Sequence, residues 1–261
     1  MSWVGADYST RTLTLVSMRS ELFSADNLEK ESAQPGLRLQ NSKLLKAELN
    51  GDFMARVGSM VAYQGQVQFE ALGSGGLSKF LKQKLTGEGV PLMRVSGRGD
   101  VFLAENAADI HLIDLVQGDA LSINGANVLA FDSSLNYDIK MVQGAGMMSN
   151  AGLFNCVFSG NGRIAVTTKG TPVVLSVDQP TFVDPQAAIC WSANLQTGYH
   201  RAEQLGVGTL LGRTTGERFT MSFAGQGFVV VQPSEEPPGG LAGVAHGQQQ
   251  QGGIQGNLLG N

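Results

Sequence analysis

Short apolar runs that begin just after a pair of glycines recur three times along the chain. The glycine pairs are Gly97 and Gly99, Gly160 and Gly162, and Gly225 and Gly227. Glycine tolerates positive φ and close approach of another backbone, so each pair predicts a bulge or tight turn at the start of a strand. The runs that follow do not alternate between apolar and polar residues. They predict strands covered on both faces, at residues 101–104, 164–166 and 228–231.

A second pattern recurs with nearly the same spacing. An aromatic residue ends an apolar run and an aliphatic residue follows four positions later, as in Tyr63 with Val67, Phe131 with Leu135, and Trp191 with Leu195. The first glycines of the pairs recur after 63 and 65 residues, and the aromatic residues after 68 and 60. Such self-similarity indicates stacked copies of one structural unit. We therefore predict three β-sandwich repeats, at about 42–85, 86–148 and 149–232, the first lacking a recognisable Gly-x-Gly strand.

One stretch has helical spacing. Leu77, Phe80, Leu81 and Leu85 follow the i, i+3, i+4, i+8 pattern of an amphipathic helix, which Gly87 ends. Two lysines that lie away from the apolar stripe favour contact with an anionic membrane. A third lysine inside the apolar arc and the short length favour packing of the helix against a sandwich. We predict one short inserted helix, for which packing is the stronger interpretation and contact with a membrane or partner the weaker one.

Both ends of the chain differ from the middle. Residues 1–41 are polar and irregular and contain one candidate strand at residues 12–18. This arm is either a flexible lead or an added edge strand. Residues 233–261 are rich in glycine and glutamine, and have too little apolar surface to offset the entropy lost on ordering. We predict a flexible tail there.

Composition and charge narrow the class of protein. Hydrophobic residues make up 42% of the chain and charged residues 15%, with a net charge of −4. The shortage of clustered Lys and Arg argues against nucleic acid as a partner. The chain has neither a long apolar run nor the pattern of a signal peptide, so we expect a soluble cytoplasmic protein. Cys156 and Cys190 lie in apolar runs and are expected to be buried reduced thiols.

Motifs for catalysis or metal binding are missing from the sequence. There is no Gly-x-Ser-x-Gly elbow, no His-x-His and no His-Glu-x-x-His. His111 lies between apolar neighbours and is interpreted as a half-buried strand residue, not a ligand. Several aspartates are present, but their spacing selects no catalytic pair. We therefore predict no catalytic residues, no metal, no cofactor and no enzymatic activity.

Five stretches together resemble the altered inheritance of mitochondria protein 24 family over about residues 42–232. They are Gly58–Tyr63, Leu85–Gly89, Gly97–Ala104, Val128–Phe131 and Phe158–Gly162. The resemblance implies three tandem copies of a short double-stranded β-helix, similar to the tryptophan RNA-binding attenuation protein, in a homo-oligomer with ring-like character. Mitochondrial members are associated with inner-membrane organisation. The family supplies no catalytic residues to carry over.

Two groups of proteins with related folds suggest other functions, but this sequence lacks the binding residues of both. Cupins hold a metal through His-x-His, which is missing here. The attenuation protein binds RNA through repeated basic residues, whereas Arg98 is replaced by Asn161 and Gln226 in the other copies. Fold-level analogy is in any case a weak argument for function.

The sequence therefore favours an all-β, non-enzymatic oligomeric scaffold or interaction protein, with peripheral membrane contact left open. The alternative is a small-ligand-binding module with a pocket between repeats. The protein partners are not identified by any motif.

Overall fold

The computed structural model describes residues 20–30, 34–72, 90–141, 154–201 and 219–234. Residues 1–32 form one unit and residues 33–261 a second. The strands of the second unit are β1 Gly36–Asn41, β2 Leu44–Arg56, β3 Met60–Ala71, β4 Leu92–Leu103, β5 Asp109–Leu115, β6 Ala120–Asn124, β7 Val128–Asp132, β8 Asn136–Met141, β9 Phe154–Ser159, β10 Gly162–Thr168, β11 Val173–Val177, β12 Thr181–Val183, β13 Ala188–Ser192, β14 Gln196–Arg201, β15 Phe219–Ala224 and β16 Gly227–Val231.

The helices within the described ranges are single turns of three residues. Two of them, Glu21–Phe23 and Ala25–Asn27, belong to the first unit, where the Ser20 hydroxyl caps the first turn by accepting from the Leu22 N–H. The third is Gly125–Asn127 between β6 and β7, and the Asn124 side chain caps it. The predicted all-β class is confirmed. The predicted inserted helix lies outside the described residues, as do the candidate strand at 12–18 and the tail beyond 234.

The strands form three antiparallel sheets. The first has the order β3-β4-β2-β7-β10-β5, with β1 added beside β2. The second has the order β11-β16-β13-β6-β9-β8, and the third the order β12-β15-β14. Strand β1 lies inside residues 1–41, which the sequence predicts to be a polar arm, and it pairs with β2 from Gly36 opposite Glu48 to Asn41 opposite Leu44.

A row of glycines crosses the three longest strands. Gly51 of β2 is paired with Gly97 of β4, and Gly99 of β4 is paired with Gly65 of β3. All four have positive φ, between +98° and +143°. A Cβ at Gly99 would lie within 3.0 Å of the Gly65 Cα and against the Gln64 carbonyl oxygen. The backbones of β3 and β4 approach so closely here that a side chain has no room.

Aromatic contacts occupy two of the three apolar cores, one between the first and second sheets and one between the second and third. Phe131 and Phe158 meet edge to face with ring centroids 4.8 Å apart, and Trp191 and Phe223 do so at 5.5 Å. Such pairs add about 0.5–1.5 kcal/mol beyond the area they bury. The second apolar run is buried at every residue, at 0–2% exposure from Ile164 to Val166. In the third run, Phe228 is 37% exposed, but Val229 is fully buried, Val230 packs against one core and Val231 against another, so both faces are covered beyond the first residue.

An arginine ties β10 to its neighbours. The Arg163 guanidinium donates to both carboxylate oxygens of Asp114 on β5, at 2.6 and 2.9 Å. It also donates to the Leu37 carbonyl of β1 at 3.0 Å, and its backbone N–H donates to Asp132 of β7 at 2.8 Å. The hydrogen bond from Arg163 lowers the pKa of Asp114. One residue thereby joins three other strands of the first sheet.

Candidate interaction surface

The glycines singled out from the sequence occupy two kinds of position. Gly160 and Gly225 have positive φ and lie in the turns from β9 to β10 and from β15 to β16, and Gly162 and Gly227 begin the strands that follow. Gly97 and Gly99 instead lie inside the continuous strand β4. The helical stripe of Leu77, Phe80, Leu81 and Leu85 lies outside the described residues.

The described residues contain no group of three or more His, Cys, Asp or Glu side chains that could hold a metal. The His111 ring is half-buried on β5, with Nε2 3.0 Å from the Thr168 hydroxyl of β10. Cys156 and Cys190 are free and buried. Burial raises the pKa of each thiol to about 12, which keeps both neutral and poorly nucleophilic near pH 7.

A shallow cleft of about 690 Å³ lies beside the glycine row, open to solvent. It is lined by Gln66, Val67 and Gln68 of β3 and by Ser96, Gly97 and Arg98 of β4. The cleft therefore lies along one pair of adjacent strands, and its lining is mostly polar. Such a surface offers hydrogen bonds and one cation, without the enclosed apolar walls of a typical ligand pocket.

Two short ladders join distant parts of the chain. Strand β7 pairs with the second half of β2, with Met54 opposite Phe131 and Ala55 opposite Ala130. Strand β13 pairs with β6, with Ser122 opposite Trp191 and Ile123 opposite Cys190. We call these the first and second joints. The first completes the six-strand path of the first sheet, and the second does the same for the second sheet.

The side chain at the end of each joint strand adds hydrogen bonds to the joint. At the first joint, the Arg56 guanidinium donates to the carbonyls of Gly125 at 2.5 Å and Val128 at 2.9 Å. At the second, the Asn124 amide donates to the carbonyls of Pro185 at 3.3 Å and Ala188 at 3.1 Å. At each joint, one polar side chain thus binds two carbonyls that are three residues apart along the chain.

The joint residues are almost completely buried. At the first joint Met54 is 7% exposed and Phe131 0%, and at the second Ser122 is 2% exposed and Trp191 3%. The strands that contribute the aromatic residues, β7 and β13, are apolar at consecutive positions and covered on both faces. Strand pairing at each joint therefore coincides with burial of a strand that would be too apolar for an exposed edge.

Two other strands lie at sheet edges and expose apolar side chains. On β3, which is an edge of the first sheet, Met60 is 40% exposed, Val61 61% and Tyr63 49%. On β12, an edge of the third sheet, Phe182 is 60% exposed. Exposed apolar groups clustered on strand edges are typical of surfaces that bind another chain.

Comparison with known proteins now identifies the family. The sequence model of the mitochondrial biogenesis AIM24 family matches residues 37–234. The chain belongs to the AIM24 family. The resemblance found from the sequence is therefore confirmed, and the AIM24 match begins five residues before residue 42, because it includes β1.

A solved structure shares the AIM24 chain's fold. It is the crystal structure of a Streptococcus pyogenes protein, with 23% sequence identity, a TM-score of 0.60, and coverage of 77% of this chain and 93% of that one. None of the curated proteins compared with the chain matches it. Within the described part of this AIM24 protein, no helix combines the length and apolar character needed to cross a bilayer.

The interaction surface was not found from the sequence. The apolar run ending at Tyr63 was recognised as a strand, and its spacing to Phe131 and Trp191 indicated equivalent positions. The joint partners of the runs ending at Phe131 and Trp191 lie more than 65 residues away, at Met54 and Ser122. Arg56 and Asn124 carried no signal at all, because their role depends on which carbonyls the fold brings to them.

Proposed function

We propose that this AIM24-family protein is a non-enzymatic, oligomeric scaffold built from three like repeats of six strands each. The strands of the repeats would be 44–49, 52–56, 60–64, 66–71, 92–97 and 99–103 for the first, β5–β10 for the second, and β11–β16 for the third. In the first repeat, the first and second of these strands are the two halves of β2, the third and fourth are the halves of β3, and the fifth and sixth are the halves of β4. We designate the six positions a to f in chain order.

Support for the repeats comes from equal strand pairing. Position f pairs with a, and the second glycine of each pair meets an aliphatic residue of a: Gly99 with Leu49, Gly162 with Leu115, and Gly227 with Val177. The same register between positions a and f in all three repeats is expected if each repeat is a copy of a short double-stranded β-helix. The proposed fold of each repeat is accordingly similar to the attenuation protein.

The pairing between positions c and f contains the same irregularity in all three repeats. The register shifts by one residue at Val61, at Leu129 and at Ile189, and these residues lie at the same place in the three c strands. With this alignment, each repeat contains its own glycine pair at the turn or bend from e to f. The proposed bounds are therefore 44–103, 109–168 and 173–231 in place of the boundaries suggested by the sequence.

The observation that supports a scaffold is the use of strand edges. Both joints link strand b of one repeat to strand c of the next, so the chain already assembles its own repeats through edge pairing. Strand β3, which contains position c of the first repeat, and β12, which is position b of the third, expose apolar residues at sheet edges. Positions b and c are also the ones that meet at the two joints. Association through strand edges needs no reaction centre.

Mass measurement of the pure full-length chain tests the oligomer. Size-exclusion chromatography with light scattering is expected to give a mass that is a multiple of 27.5 kDa and falls on dilution. A constant mass of one chain at every concentration up to hundreds of micromolar would contradict the proposal.

Peripheral membrane contact and a cytoplasmic location are part of the same proposal. Support for the membrane contact is the amphipathic spacing of Leu77, Phe80, Leu81 and Leu85, with two lysines away from the apolar stripe. Flotation with vesicles containing an anionic lipid, and with neutral vesicles as the control, tests the contact. Protein that stays at the bottom of both gradients would remove the membrane from the proposal.

A second candidate is a small-ligand module, which the cleft lined by Gln66, Gln68, Ser96 and Arg98 favours. A compound with an anionic group would suit Arg98. Thermal-shift screening of anionic metabolites against the wild type and Arg98→Ala tests it. A ligand that raises the melting temperature of the wild type and not of Arg98→Ala would support this candidate over a purely structural scaffold.

A further inference from the structure

The geometry points to a third joint, formed between two copies of the chain: β3 of one copy pairs with β12 of the next, in the register of the two joints inside the chain. This inference rests on the proposed oligomeric function and names its interface. The partner is a second copy of this protein, arranged head to tail.

The sheets of the single chain contain two complete joints and the halves of a third. In the first sheet, positions a, f and c of the second repeat (β5-β10-β7) lie beside b, e and d of the first. In the second sheet, β11-β16-β13 lie beside β6-β9-β8 in the same way. The third sheet, as far as the chain is described, has only b, e and d, as β12-β15-β14.

The half that would complete the third sheet exists at the other end of the fold. Positions a, f and c of the first repeat are the first half of β2, the second half of β4 and the first half of β3. Among the described strands, that c position has β4 as its one neighbour and β12 has β15 as its one neighbour. A second copy would therefore extend the third sheet to six strands, as in the other two.

Register follows from the equivalent residues. Met54 faces Phe131 and Ser122 faces Trp191 at the joints inside the chain. The corresponding residue of β12 is Phe182, and that of β3 is Tyr63. The third joint therefore places Tyr63 of one copy opposite Phe182 of the next.

Burial of the c strands shows what the third joint would cover. Val128, Leu129 and Phe131 of β7 are each 0% exposed, and the corresponding residues of β13 are 0–3% exposed. The equivalent residues of β3 are also apolar, yet they are 40–61% exposed. Strand β3 thus has the composition of a strand covered by a neighbour, and the same kind of neighbour is available on another copy.

The arrangement is heterologous, because the two surfaces that meet are different. Repeated head-to-tail contacts close into a ring when the rotation between copies allows it, and otherwise give a filament. Two copies that pair at both ends would be the smallest closed form. Pairing of β3 with β3 would instead be isologous and would leave β12 unused.

Site-directed disulfide formation separates these arrangements. Full-length Tyr63→Cys and Phe182→Cys are prepared separately, mixed in equal amounts and oxidised mildly. Residues directly opposite on antiparallel strands have Cβ atoms about 4.5–5.5 Å apart, close enough for a disulfide after a small adjustment. The native thiols Cys156 and Cys190 are buried and give little background.

The mixture is expected to form a covalent dimer at least tenfold faster than either variant alone. A mixture of Tyr63→Cys with Val174→Cys is the matched control, since Val174 is 66% exposed on β11, a strand that takes no part in the proposed joint. Rapid dimer formation by Tyr63→Cys alone would overturn the head-to-tail joint in favour of β3 pairing with itself.

A charge substitution gives an independent measurement that does not depend on disulfide geometry. Val61→Lys places a charge on the β3 edge and is expected to weaken association at least tenfold by light scattering. Val116→Lys, at a residue 59% exposed after β5, is expected to leave association unchanged. Circular dichroism shows whether both variants are folded.

The two proposals fail in different ways. If the wild type is oligomeric but neither the mixed cysteine variants nor Val61→Lys behaves differently from its control, the third joint is wrong and the oligomeric function stands. If the wild type is a single chain at every concentration, both are wrong.

Discussion

The glycine row across β2, β3 and β4 gives the sharpest test of the fold. Gly99 and Gly51 both have positive φ, +143° and +135°, in a region that side chains other than glycine rarely adopt. They differ in their surroundings. A Cβ at Gly99 would press on the Gln64 carbonyl and the Gly65 Cα, whereas a Cβ at Gly51 would meet nothing within 4 Å.

The two alanine variants therefore separate backbone strain from steric contact. Alanine in so sparsely populated a backbone region costs about 1–3 kcal/mol, and the loss of chain freedom in the unfolded state returns about 0.4–1 kcal/mol. Gly51→Ala is thus expected to destabilise the fold by about 0–2.5 kcal/mol. Gly99→Ala adds an overpacking cost of about 1–3 kcal/mol, because β4 lies between two partners and cannot move away from β3 without disturbing β2.

Urea denaturation followed by circular dichroism measures the difference. With a slope near 2 kcal/mol/M, an extra loss of about 2 kcal/mol lowers the midpoint of Gly99→Ala by about 1 M relative to Gly51→Ala. Protein concentration must be equal in all samples, since association would shift the midpoints. Equal midpoints for the two variants would refute the close approach of β3 and β4.

Three further predictions concern polar and sulfur groups. Asp184, directly after β12, corresponds to Asn124 in the proposed repeat alignment. Its carboxylate accepts from the Gln186 N–H but cannot donate a hydrogen bond as the Asn124 amide does. Asp184→Asn would supply a donor to the neighbouring copy at the proposed third joint, worth about 1 kcal/mol. It is expected to tighten association about fivefold by light scattering, and weaker association would contradict the third joint. Asp114→Asn is expected to cost about 0.2–1 kcal/mol at pH 7, because this largely exposed pair is screened. Since the folded-state pKa of Asp114 is lowered, its contribution is present above the unfolded pKa and disappears as pH falls through the folded pKa; a stability difference from wild type that is independent of pH in urea titrations would contradict this. The two native thiols, whose pKa is raised to about 12 by burial, should react with an aromatic disulfide reagent at pH 8 only after denaturation, and rapid reaction of the folded protein would show that they are accessible.

Local patterns were sufficient for the strands that are covered on both faces. The apolar runs ending at Phe131 and Trp191 predicted β7 and β13, and those after the second and third glycine pairs predicted β10 and β16. Uninterrupted apolar sequence has few alternatives to a buried strand when glycine and polar residues bound it. The family, too, was evident from short motifs.

Sequence was a poor guide wherever structure depends on a distant partner. Gly97 and Gly99 have the same pattern as the other pairs, but β4 continues through them because β2 and β3 supply partners along its whole length. Strand β1 looked like part of a polar arm, since its alternating leucines are too few to identify a strand without β2 beside it. The joints could not be predicted, because no property of Met54 or Ser122 indicates which aromatic strand lies opposite.

The proposed third joint uses two different edges, and this difference has a practical consequence. With such a joint, a chain altered only at β12 still offers β3 to its neighbours, and one altered only at β3 still offers β12. Each would act as a terminator that adds once and admits no further subunit. Co-expression of such a variant in measured excess would therefore set the size of whatever the normal protein builds in a cell, and would reveal whether that size matters to the organism.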